Sequence, residues 1–229
     1  MDGEGINEND RKIVVFVGPS IEKRDIKEIM GDHIQVHPPI RRGDLEKFDK
    51  GYIVLIIDGV FGSVLAISPQ EIQDFILRGN IVYGASSMGA LRASELWSCG
   101  MIGYGKIFEA YKLKKVVSDA EVALIFSEND YCPLSEPLIH LRFFLQEMYS
   151  LKILTKEESE IVFRQMENIY FPELSFERLF EELKDKIDHD KLIEIKSFFY
   201  KHKEAFNIKR QDAVGLLYYI YEKYMLGKK

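Results

Sequence analysis

The sequence predicts an α/β fold: a small, mostly parallel sheet with flanking helices in the N-terminal half, followed by an all-helical C-terminal half packed on it. Two observations carry this. Up to residue 137, short apolar runs alternate with helix-like segments, the pattern of a parallel sheet with helices on its faces. Beyond residue 137 strand-like runs stop and apolar residues recur at helical spacing. With 229 residues, 46% of them hydrophobic, the chain has material for a sizeable core. The expected division is an α/β core over 1–137 and a helical region over 138–229.

The elements follow in order. Ile13 to Val17 is a compact apolar strand that ends at Gly18-Pro19-Ser20, and Ile21 to Met30 is the helix after it. His33 to His37 is the second strand and Tyr52 to Ile57 the third, closed by Asp58-Gly59. Pro69 suits the first turn of a helix running to Leu77, where its missing N–H costs nothing. Ile81 to Gly84 is the fourth strand. In the helical half, Leu138 to Tyr149 is amphipathic, and Thr155 with Glu158 forms a capping box for a helix to Tyr170 that Pro172 ends. Ser175 opens the next helix, Asp190 caps another reaching Phe206, and a last one spans Lys209 to Leu226.

Ligands of open α/β sheets gather outside the carboxyl ends of the strands. Three such ends carry Gly18-Pro19-Ser20, Asp58-Gly59 and Gly84-Ala85-Ser86-Ser87, and these are expected to converge on one site. The last is the most informative. Asn80 to Leu96 is an apolar strand that breaks at small residues and restarts as a helix, with serine at the break. Ala85-Ser86-Ser87-Met88-Gly89 differs from the G-x-S-x-G elbow by Ala85 in the first glycine position, which makes Ser87 the first candidate nucleophile. The competing reading is that Ser86 and Ser87 cap the helix or that its start binds an anion. Gly84, Ala85, Gly89 and Ala90 suit either a narrow slot beside the serine or close packing of helix on strand.

Composition narrows the partners. A net charge of −6 argues against a phosphate-coating surface and hence against nucleic acid. Cys99 and Cys132 match no zinc spacing and make no disulfide framework; ordinary buried thiols are expected, which fits a reducing cytoplasm. No metal or other cofactor is implied. The first twelve residues are polar and acidic rather than a signal peptide, and no apolar run approaches the ~20 residues of a membrane span. Neither a P-loop nor a G-x-G-x-x-G fingerprint occurs, which weakens a nucleotide-binding reading.

Several segments stand in a characteristic order: Phe16-Val17-Gly18-Pro19-Ser20, Pro38-Pro39-Ile40-Arg41-Arg42-Gly43-Asp44, Ile57-Asp58-Gly59-Val60-Phe61, and Gly84 through Leu96. Gly100-Met101-Ile102-Gly103, Ile107-Phe108-Glu109-Ala110-Tyr111, Pro133-Leu134-Ser135-Glu136-Pro137 and Lys209-Arg210-Gln211-Asp212-Ala213 continue the series. Taken together they resemble the TfuA family, which accompanies YcaO enzymes in peptide-backbone thioamidation. The resemblance implies hydrolysis of the C-terminal thiocarboxylate of a small ubiquitin-like carrier of the ThiS type, releasing sulfide for YcaO. It also implies a serine and lysine pair, and the archaeal branch whose peptide substrate is a glycine of methyl-coenzyme M reductase. One departure is Pro69-Gln70-Glu71, where many members have His-Lys-Glu.

Thiocarboxylate hydrolysis is acyl transfer and requires a nucleophile, a base and oxyanion donors. Ser87 supplies the first, and the Met88 N–H is one donor, with a second expected from the loop of Gly18 and Ser20. A lysine base must be largely neutral, against a free value near ~10.4. Lys209 opens the last helix beside Arg210 and is the first choice, because both neighbours disfavour a second cation; Lys106, after Gly103-Tyr104-Gly105, is the alternative. Asp58 either orients the lysine or a water, or makes a turn hydrogen bond. Arg41 and Arg42 are placed to hold the carrier, and Arg92 and Glu95, three apart on the elbow helix, to pair with each other. The aromatic helical half, including Phe198, Phe199, Tyr200, Tyr218 and Tyr219, offers a face for YcaO. The alternative function is a noncatalytic adaptor that binds carrier and YcaO.

Overall fold

The computed structural model describes residues 11–226 apart from His33 and Ser63. In chain order the elements are β1 (Lys12–Phe16), α1 (Lys23–Met30), β2 (Gln35–His37), β3 (Tyr52–Ile56), α2 (Pro69–Leu77), β4 (Ile81–Gly84), α3 (Met88–Leu96), β5 (Ile102–Gly103) and α4 (Lys106–Lys112). They continue as α5 (Leu138–Ser150), α6 (Lys156–Glu167), α7 (Phe176–Lys184), α8 (His189–Lys201) and α9 (Ile208–Tyr224). The chain divides into two compact units, one of Met1–Val117 with Lys209–Lys229 and the other of Ser118–Ile208. Residue 137 thus marks where strand-like sequence ends, while the compact units part at Val117 and again at Lys209, because α9 belongs with the sheet.

In the first unit the five strands lie in the order β2-β1-β3-β4-β5, and every neighbouring pair is parallel. This is a doubly wound order whose direction of winding reverses between β1 and β3. Successive side chains of a strand face opposite ways, and here both faces are covered. Ile13, Val15, Ile53, Leu55 and Tyr83 pack with Ile26 and Met30 of α1 and with Ala213, Leu216, Leu217, Ile220 and Tyr224 of α9. Burying an aliphatic or aromatic side chain of this size is worth about 1.5–3 kcal/mol. Helices α2 and α3 lie against the other side of β3 and β4. There α3 comes very close. A Cβ on Gly89 would run into the Ile56 carbonyl oxygen, and one on Gly84 into the carbonyl of Gly89. Close packing is therefore one reason for the small residues of the elbow.

Helix α2 and strand β4 have the expected bounds, and Ser68 with Glu71 caps α2 in a full capping box. The expected beginning of the second strand, His33, lies outside the described residues. Strand β5 is a finding of the structure; two residues are too few to show alternation, and pairing with Tyr83 and Gly84 defines it.

The second unit is helical. Its core centres on Phe144, with Phe176, Phe199 and Phe206 at ring-centroid distances of 5.5, 5.7 and 4.9 Å. Thr155 caps α6 with Glu158 as expected, and the Ser175 hydroxyl accepts the Arg178 N–H at 3.0 Å. Asp188, rather than Asp190, caps α8 by accepting the Lys191 N–H at 2.9 Å, and Asp190 sits in the first turn, where a carboxylate suits the helix dipole. Helix α8 ends at Lys201, and Phe206 belongs to a separate short turn. Glu121 and Arg142 form an ion pair shielded from solvent, with Arg142 also 3.9 Å from the centre of the Phe163 ring. Of the expected aromatic face, Phe199 is core and Phe198 partly so, whereas Tyr200 is exposed. Tyr218 and Tyr219 are exposed on α9.

Candidate active site

The reversal of winding places the ends of β1 and β3 side by side, with β4 next to β3, and the three loops expected to converge do so. Asp58, just past β3, is the centre. Its Oδ2 accepts the N–H groups of Gly18 and Ser20 at 2.9 and 3.0 Å, and its Oδ1 accepts the Ser20 hydroxyl at 2.6 Å. The Ser86 hydroxyl from the β4 exit donates to Ser20 Oγ at 2.8 Å. From α9, Lys209 Nζ comes within 4.0 Å of Asp58 Oδ1, both side chains being 2% exposed. An elbow serine, a bridging serine, a carboxylate and a lysine amine thus form one buried chain drawn from four segments of the sequence. Buried charges persist when paired and hydrogen-bonded, and Asp58 has both kinds of support.

The elbow itself is held from beneath. Ala85 N–H donates to the Ile56 carbonyl at 3.1 Å, and Ser87 and Gly89 N–H both donate to the Ile57 carbonyl, at 3.2 and 3.4 Å. Met88 is the first residue of α3, so its N–H has no acceptor inside the helix. Like the Ser86 N–H, it has no acceptor among the described residues and can serve a ligand. Ser87 stands at the N-cap position, but its hydroxyl does not cap α3. Ser86 has φ +67°, in the left-handed region.

A family model described as TfuA-like protein matches residues 58–175, just over half of the chain. The chain belongs to the TfuA-like family. That family is associated with thioamidation. The matched stretch begins at Asp58 and includes the whole elbow, while Gly18, Ser20, Arg41, Arg42 and Lys209 lie outside it and are brought to the same place by the fold. No curated protein matches the chain.

The other expected site residues of this TfuA-like chain fall around that centre. Ile40 N–H donates to the Asp58 carbonyl and Val60 N–H to the Ile40 carbonyl, each at 3.0 Å, so the Arg41–Arg42 loop is stitched beside Asp58 and both arginines are exposed. Glu71 fixes that loop by accepting the Gly43 N–H at 2.5 Å. Burial works to raise the Glu71 carboxyl, but hydrogen bonds from Gly43 and Ser68 and the charge of Arg42 outweigh it and hold the group below its usual range. Gln70, at the departing position, is exposed and bonds Asp74. Arg92 pairs with Glu95 at 2.5 Å and donates to the Ile67 carbonyl at 3.0 Å, which ties α3 to the turn before α2.

Three expectations change. The Gly18 and Ser20 N–H groups are committed to Asp58, so the loop after β1 does not offer them to an oxyanion. Lys106 is exposed, with Nζ 3.5 Å from Gln211, outside the buried chain. Cys99 and Cys132 are both exposed and free, because each falls on a surface turn rather than a core face. A group that sequence reasoning missed is Asp212, buried on α9 and accepting the Lys106 and Ile107 N–H groups at 2.9 and 2.8 Å. Its signal was its place three residues after Lys209, on the same side of the helix. Among the described residues no cluster of His, Cys, Asp and Glu could hold a metal, and no helix is long and apolar enough to cross a membrane.

Proposed function

We propose that this site hydrolyses the C-terminal thiocarboxylate of a ThiS-type ubiquitin-like carrier and so supplies sulfide to a YcaO enzyme, which places it in a peptide-backbone amide. The peptide we assign is a glycine segment of methyl-coenzyme M reductase. One observation carries the reading: the buried chain from the Ser86–Ser87 elbow through Ser20 to the Asp58–Lys209 pair, beside the available Met88 N–H.

Each part has a task in acyl transfer. An elbow serine attacks the thiocarboxylate carbon, and the Met88 N–H receives the negative charge that develops on its oxygen. The Asp58–Lys209 pair takes the serine proton and returns it to the leaving sulfur. Lys209, being inside the cluster, fills this role in place of Lys106. The exposed Arg41 and Arg42 meet the carrier first and govern encounter more than chemistry.

The test is to incubate the purified protein alone with a thiocarboxylated ThiS-type carrier and to follow carrier mass and free sulfide. The expected result is replacement of the terminal sulfur by oxygen, with sulfide in solution. A carrier that binds yet keeps its sulfur until YcaO and ATP are added would instead make this protein an adaptor.

A further inference from the structure

We infer that Ser86, not Ser87, is the hydroxyl that reacts, and that Ser20 is a positioning residue linking it to the Asp58–Lys209 pair. This rests on the hydrolytic reading above.

The elbow backbone gives the first argument. Ala85 and Ser87 are pinned to the consecutive carbonyls of Ile56 and Ile57. Ser86 between them is forced to φ +67°, an arrangement that is strained for a non-glycine residue and survives only where its surroundings over-determine it. What the turn gains is direction. Ser86 is wholly buried, and its Oγ points at Ser20 Oγ, 2.8 Å away, with its proton on that line. Ser87 is not part of that chain, and its hydroxyl leaves α3 uncapped.

The chain also has the right order for proton movement. Ser20 Oγ accepts from Ser86 and donates to Asp58 Oδ1, so a proton leaving Ser86 is taken up by Ser20 as Ser20's own proton passes to Asp58. The Ser86 oxygen bonds to the thiocarboxylate carbon, the carbon–sulfur bond breaks, and the proton held by the Asp58–Lys209 pair goes to sulfur, which leaves as hydrosulfide. Water then cleaves the acyl–Ser86 ester; its oxygen stays in the carrier carboxylate, one of its protons returns to Ser86 and the other is released to solvent. Nothing is oxidised or reduced.

The experiment compares Ser86→Ala, Ser86→Gly, Ser87→Ala, Ser20→Ala and Ser20→Thr with wild type, using a ThiS-type carrier thiocarboxylate and a short synthetic peptide thiocarboxylate. Sulfide release, intact-protein mass and thermal melting are measured. Both Ser86 variants should lose at least about a thousandfold in kcat and form no acyl adduct. Glycine takes a positive φ without strain, so Ser86→Gly keeps the fold even if alanine disturbs it. Ser87→Ala should stay within about tenfold of wild type, far above the Ser86 variants, because its hydroxyl lies off the proton path. Ser20→Ala keeps the backbone bond to Asp58 and should lose about a hundredfold in kcat at unchanged KM, with recovery in Ser20→Thr. An active Ser86→Gly, or loss of activity in Ser87→Ala alone, overturns the Ser86 assignment while leaving hydrolysis intact. A wild type that releases no sulfide overturns both.

Discussion

Asp212 should make the first unit less stable as pH rises from about 4 to 7. Its carboxyl lies in the interior of α9, and burial pushes its pKa from 3.8 up to about 6, against the hydrogen bonds from Ile107 and Lys106 and the charge of Lys106, with Glu109 adding to the rise. Between these two values the folded protein holds a proton that the unfolded chain has released, so unfolding becomes easier with increasing pH. The stabilisation is complete below about pH 4 and gone above the folded pKa. Two pKa units are worth ~3 kcal/mol. Trp97 is the sole tryptophan of the chain and lies in the same unit, so its fluorescence during urea unfolding follows the relevant transition. The comparison is wild type against Asp212→Asn at pH 4 and pH 7. Other carboxylates titrate in this window, Glu71 with the opposite sign, but they are common to both proteins and cancel in the difference. The expected result is that wild type loses ~2.4 kcal/mol relative to the variant between the two pH values, most of the full shift, because the unfolded carboxyl is already more than half ionised at pH 4. A difference flat within about 0.5 kcal/mol would refute the argument that burial dominates at Asp212.

Lys209→Met should destabilise the first unit by about 3 kcal/mol, the low end for stranding a buried charge, because Asp58 keeps three hydrogen bonds; adding Asp58→Asn should recover part of the loss. The same fluorescence titration reads this, and an unaffected Lys209→Met would show that the pair contributes nothing. Arg42→Glu should slow carrier association about three- to tenfold at low salt and weaken its dependence on ionic strength, with turnover at saturation preserved. Stopped-flow association at two ionic strengths checks it, and unchanged association with lost turnover would move Arg42 into the reacting site.

Local pattern made the sheet, its flanking helices and the elbow legible before any coordinates. The breaks at Gly18-Pro19-Ser20, Asp58-Gly59 and Gly84-Ala85-Ser86-Ser87, the bounds of α2 and β4, and the Thr155–Glu158 cap all depend on residues close in sequence. Convergence of the three loops also followed, because parallel strands put their carboxyl ends on one edge. Other features rest on distant partners. Strand β5 exists through its pairing with β4, and α9 is a sheet-covering helix because Leu216, Leu217 and Ile220 are buried in one cluster with Val15 and Leu55. The apolar residues of α9 are spread around its circumference, so spacing alone shows neither its covered face nor what covers it.

The choice between the two serines was likewise outside the reach of the motif. Ser86 and Ser87 are equivalent in composition and neighbours in sequence; the carbonyls of Ile56 and Ile57 decide which of them turns toward Ser20. Lys209 is distinguished from Lys106 in the same way, since one side chain is enclosed beside Asp58 and the other faces solvent. By itself the sequence determined the residue types that the proposed acyl transfer would use and the strand ends that carry them. Only the tertiary structure decided which of them share one hydrogen-bonded chain, because hydrogen bonds form between atoms about 3 Å apart whatever their separation along the chain.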